Sequence, residues 1–346
     1  MTMRRLTYGQ AISEATVQCM EADPNIFVAG IGVDDFKGIF GTTAEAYRRF
    51  GPARVFDIPN GENAMTGIAI GAAAVGKRPL VVHPRNDFMF LCMDQLFNLA
   101  AKWRYMFGDR GGVPVVFRGI VGRGWGQGAT HSQSLQALFA HFPGLAVALP
   151  ASPADAKGLL VSALQGSGPV VLLENRALYE LEGEVPEGLE PVPFGQGKVV
   201  RAGTDITIVG ISLMAYEAAR AAEILLQHNV SAEVIDLRSV RPLDAEIIVR
   251  SLRKTGRLVV ADTSWALCGV SAEVAAIAAE KAWAYLKAPV RRVTPPDCPA
   301  PVSKPLEDAF HPNPATIAQA CLDVLKAGTP LGAGVTDVQA TFAGPY

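Results

Sequence analysis

The stretch Ile58-Pro-Asn-Gly-Glu62-Asn-Ala-Met-Thr-Gly67-Ile-Ala-Ile-Gly71-Ala-Ala-Ala-Val75-Gly-Lys-Arg-Pro79-Leu-Val-Val82 reads as one helix, Glu62 to Val75, followed by one buried strand, Pro79 to Val82. A short apolar run after an amphipathic segment is half of a βαβ unit. The same alternation runs outward in both directions. Strands are expected at Ile26 to Gly30, Val113 to Arg118, Leu145 to Leu149 and Val170 to Glu174. Helices are expected at Tyr8 to Met20, Leu91 to Phe107, Leu135 to Ala140 and Pro153 to Gln165. A second set follows, with strands Ile206 to Ile211, Ala232 to Asp236, Leu258 to Asp262 and Val290 to Val293. Its helices are expected near Ala215 to His228, Asp244 to Lys254, Val270 to Leu286 and Pro314 to Leu325. The fold class is therefore α/β, with two doubly wound domains built on mostly parallel sheets. The expected division is a first domain over 1–180, a Glu-, Pro- and Gly-rich linker over 181–200, a second domain over 201–327 and a flexible tail over 328–346.

Composition narrows the function. A chain of 346 residues that is 49% hydrophobic and 18% charged can bury two cores. A net charge of -2 without a dense basic patch argues against nucleic acid. No apolar run reaches the length of a membrane span, and the N-terminus lacks the apolar centre of a secretory signal, so a cytoplasmic protein without a membrane role is expected. The five cysteines are scattered and odd in number, which fits a reducing compartment, no structural metal site and mostly small buried thiols.

Open parallel sheets bind ligands at the carboxyl ends of their strands. Three loops there carry chemistry. The first holds Glu62, a carboxylate in apolar company. It reads either as a helix N-terminal charge favoured by the macrodipole, or as a desolvated acid able to share a proton near neutral pH. The second is His83-Pro-Arg85-Asn-Asp-Phe88. The third, Gly122-Arg123-Gly-Trp-Gly-Gln-Gly-Ala-Thr-His131, delivers a histidine on a glycine loop. Its G-x-G-x-G-x-G spacing is wrong for a dinucleotide fingerprint, and neither a Walker lysine motif nor a G-x-S-x-G elbow occurs. Individually, His83, His141, His228 and His311 read most simply as hydrogen-bonded surface residues.

Joined together, these segments resemble a known family. Ile58-Pro-x-x-Glu62, Gly67-Ile-Ala-Ile-Gly-Ala-Ala, Asp94-Gln-x-x-Asn98-x-Ala-Ala-Lys102, Pro114-Val-Val-Phe-Arg-Gly119, His131-Ser-Gln-Ser and Pro143-Gly-Leu through Pro150-x-x-Pro-x-Asp-Ala-Lys-Gly-Leu-Leu are similar to the beta subunit of thiamine-diphosphate-dependent 2-oxo-acid dehydrogenases. Asp236-Leu-Arg-Ser-Val-Arg-Pro-Leu-Asp244 and Ala288-Pro-Val-Arg-Arg-Val-Thr resemble its transketolase-type C-terminal domain, after a transketolase-like pyrimidine-binding domain. The likeness is collinear over about residues 5 to 325.

The resemblance implies roles. Glu62 would hydrogen-bond the pyrimidine nitrogen of thiamine diphosphate, favouring the imino tautomer whose exocyclic nitrogen takes the thiazolium proton. Phe88 would stack on the pyrimidine, Asn60 would complete the cofactor contacts, and His131 would position intermediates. A potassium site of some relatives, made mainly of backbone carbonyls, matches Val115, Ala163, Leu164, Gly166 and Gly168; relatives often have acidic or amide residues at the last two positions. The family's Gly-Asp-Gly diphosphate and magnesium motif is missing from the sequence, so the Mg2+ ligands are expected on an alpha subunit in an α2β2 heterotetramer. Residues 83–86 depart from the family's apolar or small residues. His83, Arg85 and Arg123 form the candidate substrate wall, where the two arginines could hold a carboxylate or phosphate or simply be solvated. The expected function is decarboxylation of a 2-oxo acid with transfer of the acyl or aldehyde fragment, to a lipoyl-bearing acyltransferase in one form. The alternatives are a transketolase-like or carboligating split enzyme without a lipoyl acceptor, and a non-catalytic scaffold.

Overall fold

The computed structural model describes residues 2–35, 37–108, 111–123 and 126–325. The tail expected over 328–346 lies outside the described residues. The chain divides into two compact units, Met1–Val121 with Leu138–Phe194, and Gly122–Ala137 with Gly195–Tyr346. The glycine loop therefore belongs to the second unit although it sits within the first half of the sequence.

In the first unit, β1 (Met3–Thr7) leads into α1 (Tyr8–Ala22), β2 (Ile26–Gly30), an irregular turn α2 (Gly38–Gly41), α3 (Ala44–Phe50), β3 (Val55–Asp57), α4 (Glu62–Ala74), β4 (Arg78–His83), α5 (Trp103–Met106) and β5 (Val116–Val121). After the loop come α6 (Gln136–His141), which spans the boundary between units, then β6 (Ala146–Ala148), α7 (Pro153–Gln165), β7 (Val170–Asn175) and β8 (Glu182–Pro186). The sheet order within this unit is β6, β7, β5, β4, β2, β3, and these neighbours pair in parallel. All six residues of β5 and of β7 are buried, as strands covered on both faces must be. Helix starts are locally encoded. Thr7 and Gln10 form a reciprocal capping box on α1, and Ser152 caps α7 just before Pro153.

The second unit contains β9 (Lys198–Arg201), β10 (Ile206–Gly210), α8 (Leu213–Gln227), β11 (Ala232–Asp236), the short β12 (Ser239–Arg241), α9 (Ala245–Thr255), β13 (Leu258–Ala261), α10 (Val270–Lys281), β14 (Arg291–Val293), α11 (Lys304–Phe310) and α12 (Pro314–Leu325). Its sheet runs β14, β13, β10, β11, β9, parallel except for the antiparallel edge strand β9. Ala218, Ala222 and Leu225 of α8 and Ile317, Cys321 and Leu322 of α12 share one buried cluster with Ile208 and Val234.

Four expectations change. The helix expected from Leu91 to Phe107 is broken into a 3-10 segment, Asn86–Cys92, a π segment, Asp94–Ala100, and α5. Packing sets this register: Phe97 stacks on Phe142, and Gly144 lies so close to Ala101 that a Cβ would stand 1.8 Å from its carbonyl oxygen. The strand expected from Val113 begins three residues later, because Val113 to Val115 turn on themselves (Val115 N to Val113 O, 2.8 Å) around a proline that lacks an N–H. The helix expected to reach Leu286 stops at Lys281, followed by a 3-10 turn at Trp283–Tyr285. The 181–200 stretch is ordered in part, since β8 pairs antiparallel with β1.

Candidate functional site

Glu62 follows β3 by five residues and occupies the first turn of α4. It sits where the helix dipole favours a negative charge, and it is only 8% exposed. Among the described residues no hydrogen bond or ion pair reaches its carboxylate. Cys92 lies within its field. Burial pushes that thiol up to about 11, the nearby Thr66 hydroxyl opposes this, and Glu62 adds to it. The thiol therefore stays neutral and puts no second negative charge beside the carboxylate. Glu62 is a largely buried residue whose carboxylate has no partner in its own chain, which fits a ligand that brings a donor. Phe88 is half-buried within the Asn86–Cys92 turn, which packs against α4, whereas Asn60 is exposed.

At the end of β4, His83 is 2% exposed, not a surface residue as its isolated reading expects. Burial pulls its imidazole down to about 4, so the ring is neutral at physiological pH, and its Nε2 has no partner among the described residues. Arg85 is buried too, and burial lowers its pKa against the opposing pull of Asp87. Sequence reasoning missed Arg176, which follows β7. This guanidinium is buried 4.5 Å from the Phe40 ring and 4.8 Å from the Tyr179 ring, and lies within electrostatic reach of Arg85. The sheet register that puts β4 and β7 on either side of β5 was the signal that could have joined them.

Between them, on β5, Arg118 is fully buried against Glu174, with Nη2 to Oε2 at 2.8 Å and the Tyr179 hydroxyl donating to the same carboxylate at 2.7 Å. Burial opposes the arginine's charge, but Glu174 more than offsets this and raises its pKa.

The other candidates lie in the second unit. Arg123 is ion-paired to Asp308 at 3.0 Å, so the structure gives this arginine a carboxylate of its own chain and does not join it with Arg85 in one unit. His131 is half-buried, with Nδ1 2.9 Å from the Thr130 hydroxyl. Of the carbonyls considered for potassium, that of Val115 accepts from Val170 N and that of Ala163 from Gly166 N. Those of Leu164 and Gly166 accept from the Arg78 guanidinium, with Nε to Leu164 O at 2.8 Å. A potassium ion would share two of its five carbonyls with a fixed positive charge and find no side-chain oxygen at Gly166 or Gly168, a poor fit. Among the described residues there is no cluster of three or more His, Cys, Asp or Glu able to hold a metal. Three cysteines, Cys19, Cys92 and Cys321, are buried; Cys268 and Cys298 are exposed. No helix among the described residues is long and apolar enough to cross a membrane.

Comparison with known proteins covers nearly the whole chain. The transketolase pyrimidine-binding domain family matches residues 4–182, and the transketolase C-terminal domain family matches residues 195–317. The chain is 43% identical to the acetoin:2,6-dichlorophenolindophenol oxidoreductase subunit beta of Cupriavidus necator, across 94% of this chain and 99% of that one. It is 39% identical to the pyruvate dehydrogenase E1 component subunit beta of Rickettsia felis, across 91% and 97%. Among solved structures, a split-gene transketolase described as an inactive beta4 tetramer superposes with a TM-score of 0.74 at 24% identity, covering 93% of this chain and 98% of that one. That likeness shows the fold.

Proposed function

The chain belongs to the transketolase-like family of thiamine-diphosphate-dependent 2-oxo-acid dehydrogenase beta subunits, and from that premise we propose that it supplies the pyrimidine side of a thiamine diphosphate site completed by an alpha subunit. The observation that carries this reading is Glu62, buried at the start of α4 without a partner of its own. Bound thiamine diphosphate would supply the electron sink for decarboxylating a 2-oxo acid. Glu62 holds or shares a proton at the pyrimidine ring nitrogen, with the buried Cys92 and Thr66 beside it. Phe88 stacks on the ring, Asn60 adds a polar contact, and His131 moves a proton near the substrate carbonyl. Magnesium is held by the alpha subunit.

The relatives' names divide between acetoin and pyruvate. The buried guanidinium groups of Arg85 and Arg176 favour a substrate with a carboxylate over a neutral one, with Arg85 in the role first considered for Arg85 and Arg123 together. The partner reading draws support from the relatives' status as beta subunits and from apolar side chains exposed around the Glu62 helix. Ile68 and Val75 of α4 are 62% and 81% exposed, and Phe90 and Leu91 of the adjoining turn are also open. Co-purification from the native host followed by turnover assays tests the reading. The complex should decarboxylate a 2-oxo acid in the presence of thiamine diphosphate and magnesium, and the isolated chain should show negligible turnover. Robust activity from the isolated chain would refute the split site.

A further inference from the structure

The segment before and after His131 is fastened to the second unit at both ends. Upstream, Arg123 Nη1 lies 3.0 Å from Asp308 Oδ1, while the other oxygen of Asp308 takes Lys304 Nζ at 2.7 Å. Downstream, Gln136 Nε2 donates to Asp262 Oδ1 at 2.6 Å, and both side chains are fully buried. Asp262 is itself fixed at the end of β13 by the Ser264 amide, 3.0 Å from the same oxygen.

The turns between these anchors need glycine. Gly126 and Gly128 have φ of +67 and +69, and a Cβ on either would stand 2.8 Å from the Val302 carbonyl oxygen or 2.7 Å from Val302 Cγ2. The chain then closes through His131 N to Gly128 O at 3.3 Å and Gly122 N to Gln133 O at 3.4 Å. Gly126 and Gly128, from the run that fails as a dinucleotide fingerprint, thus let the loop lie against the segment that carries Val302 and leads into Asp308.

We propose that Asp262 and Asp308 are positioning residues for His131, holding its loop at both ends through Gln136 and Arg123. The proposal rests on the reading of His131 as an active-site residue. Neither aspartate touches the reacting atoms. The two anchors are unequal: the Arg123–Asp308 pair is more than a third exposed on both sides and weakly stabilising, whereas the Gln136–Asp262 bond is buried and charge-assisted.

Hydrogen exchange in the full chain, read at the amides of 126–131, tests the anchoring without any cofactor. Gln136→Leu should speed exchange there about tenfold or more. Asp308→Ala, a surface change that leaves folding intact, should speed it by about twofold to fivefold. Lys304→Met, which keeps the Arg123 contact, should leave it unchanged, and the charge-reversed pair Arg123→Asp with Asp308→Arg should restore the slow rate. Unchanged exchange in both Gln136→Leu and Asp308→Ala would overturn the proposal. In the reconstituted complex the loosened variants should lose kcat with KM nearly constant, and the charge-reversed pair should recover it. Faster exchange with kcat intact would uphold the anchoring and refute the assigned role of His131, which separates the two failures.

Discussion

Glu62, Arg118 and Asp262 are three buried charges handled in three ways. Arg118 is fully compensated by Glu174, so removing one partner strands the other. Glu174→Ala should destabilise the chain by about 3–5 kcal/mol in urea denaturation, far more than loss of a surface pair. Asp262 is compensated only by neutral donors. Burial pushes its carboxyl up to about 6 against the hydrogen bonds it accepts from Ser264 and Gln136. The folded state therefore prefers this group protonated. That preference stabilises the protein below about pH 4 and is lost as pH rises through about 6, a swing of roughly 3 kcal/mol. Asp262→Asn should melt at or above the native temperature at pH 8, with its relative advantage shrinking as pH falls to 4; equal shifts at both pH values would contradict the assignment. The imidazoles of buried His83 and half-buried His311, both lowered to about 4, act in the opposite sense and weaken the fold on acidification below about pH 6.5, so only the difference between variant and native chain isolates Asp262. Arg85 offers a kinetic counterpart. Arg85→Ala in the reconstituted complex should raise KM for a 2-oxo acid about tenfold or more, the loss expected for one charge-assisted hydrogen bond.

At the scale of elements, the parallel strands and long helices were legible because burial alone decides them. The Ile26–Gly30 and Ala232–Asp236 strands and the Pro153–Gln165 and Pro314–Leu325 helices stand where the hydrophobic pattern put them. The β1 and β8 ribbon was not legible, because Val185 alone of its residues is fully buried and its order comes from the partner strand. The break in the Leu91–Phe107 stretch is not legible in the sequence for a related reason. Asp94, Asn98 and Lys102 are linked four residues apart, a helix-like spacing, while Phe97 and Ala101 answer to Phe142 and Gly144 across the core. Gly144, at φ +100, is the test of that explanation. Gly144→Ala should cost at least about 1–3 kcal/mol, because the methyl group meets backbone and the φ angle is strained. A neutral result would mean that this contact does not dictate the helix break. The candidate site was legible only in part: the strand-end loops pointed to Glu62, Phe88 and His131, but Arg176, Gln136, Asp262 and Asp308 become visible only when distant parts of the chain meet.

At the scale of the whole molecule, the chain carries Glu62 and Phe88 in one compact unit and the His131 loop in the other. A Glu62 left without a partner in its own chain is the arrangement expected of a residue that meets a ligand. The reconstituted complex with the alpha partner therefore gives the most direct test of the central claim, by comparing kcat of native and Glu62→Gln forms at saturating thiamine diphosphate and magnesium, with melting curves showing equal folding. The account predicts a loss on the order of 10²-fold or more, because the amide cannot share the proton that the carboxylate does. Activity within a few-fold of native would contradict it and return Glu62 to the status of a helix N-terminal charge.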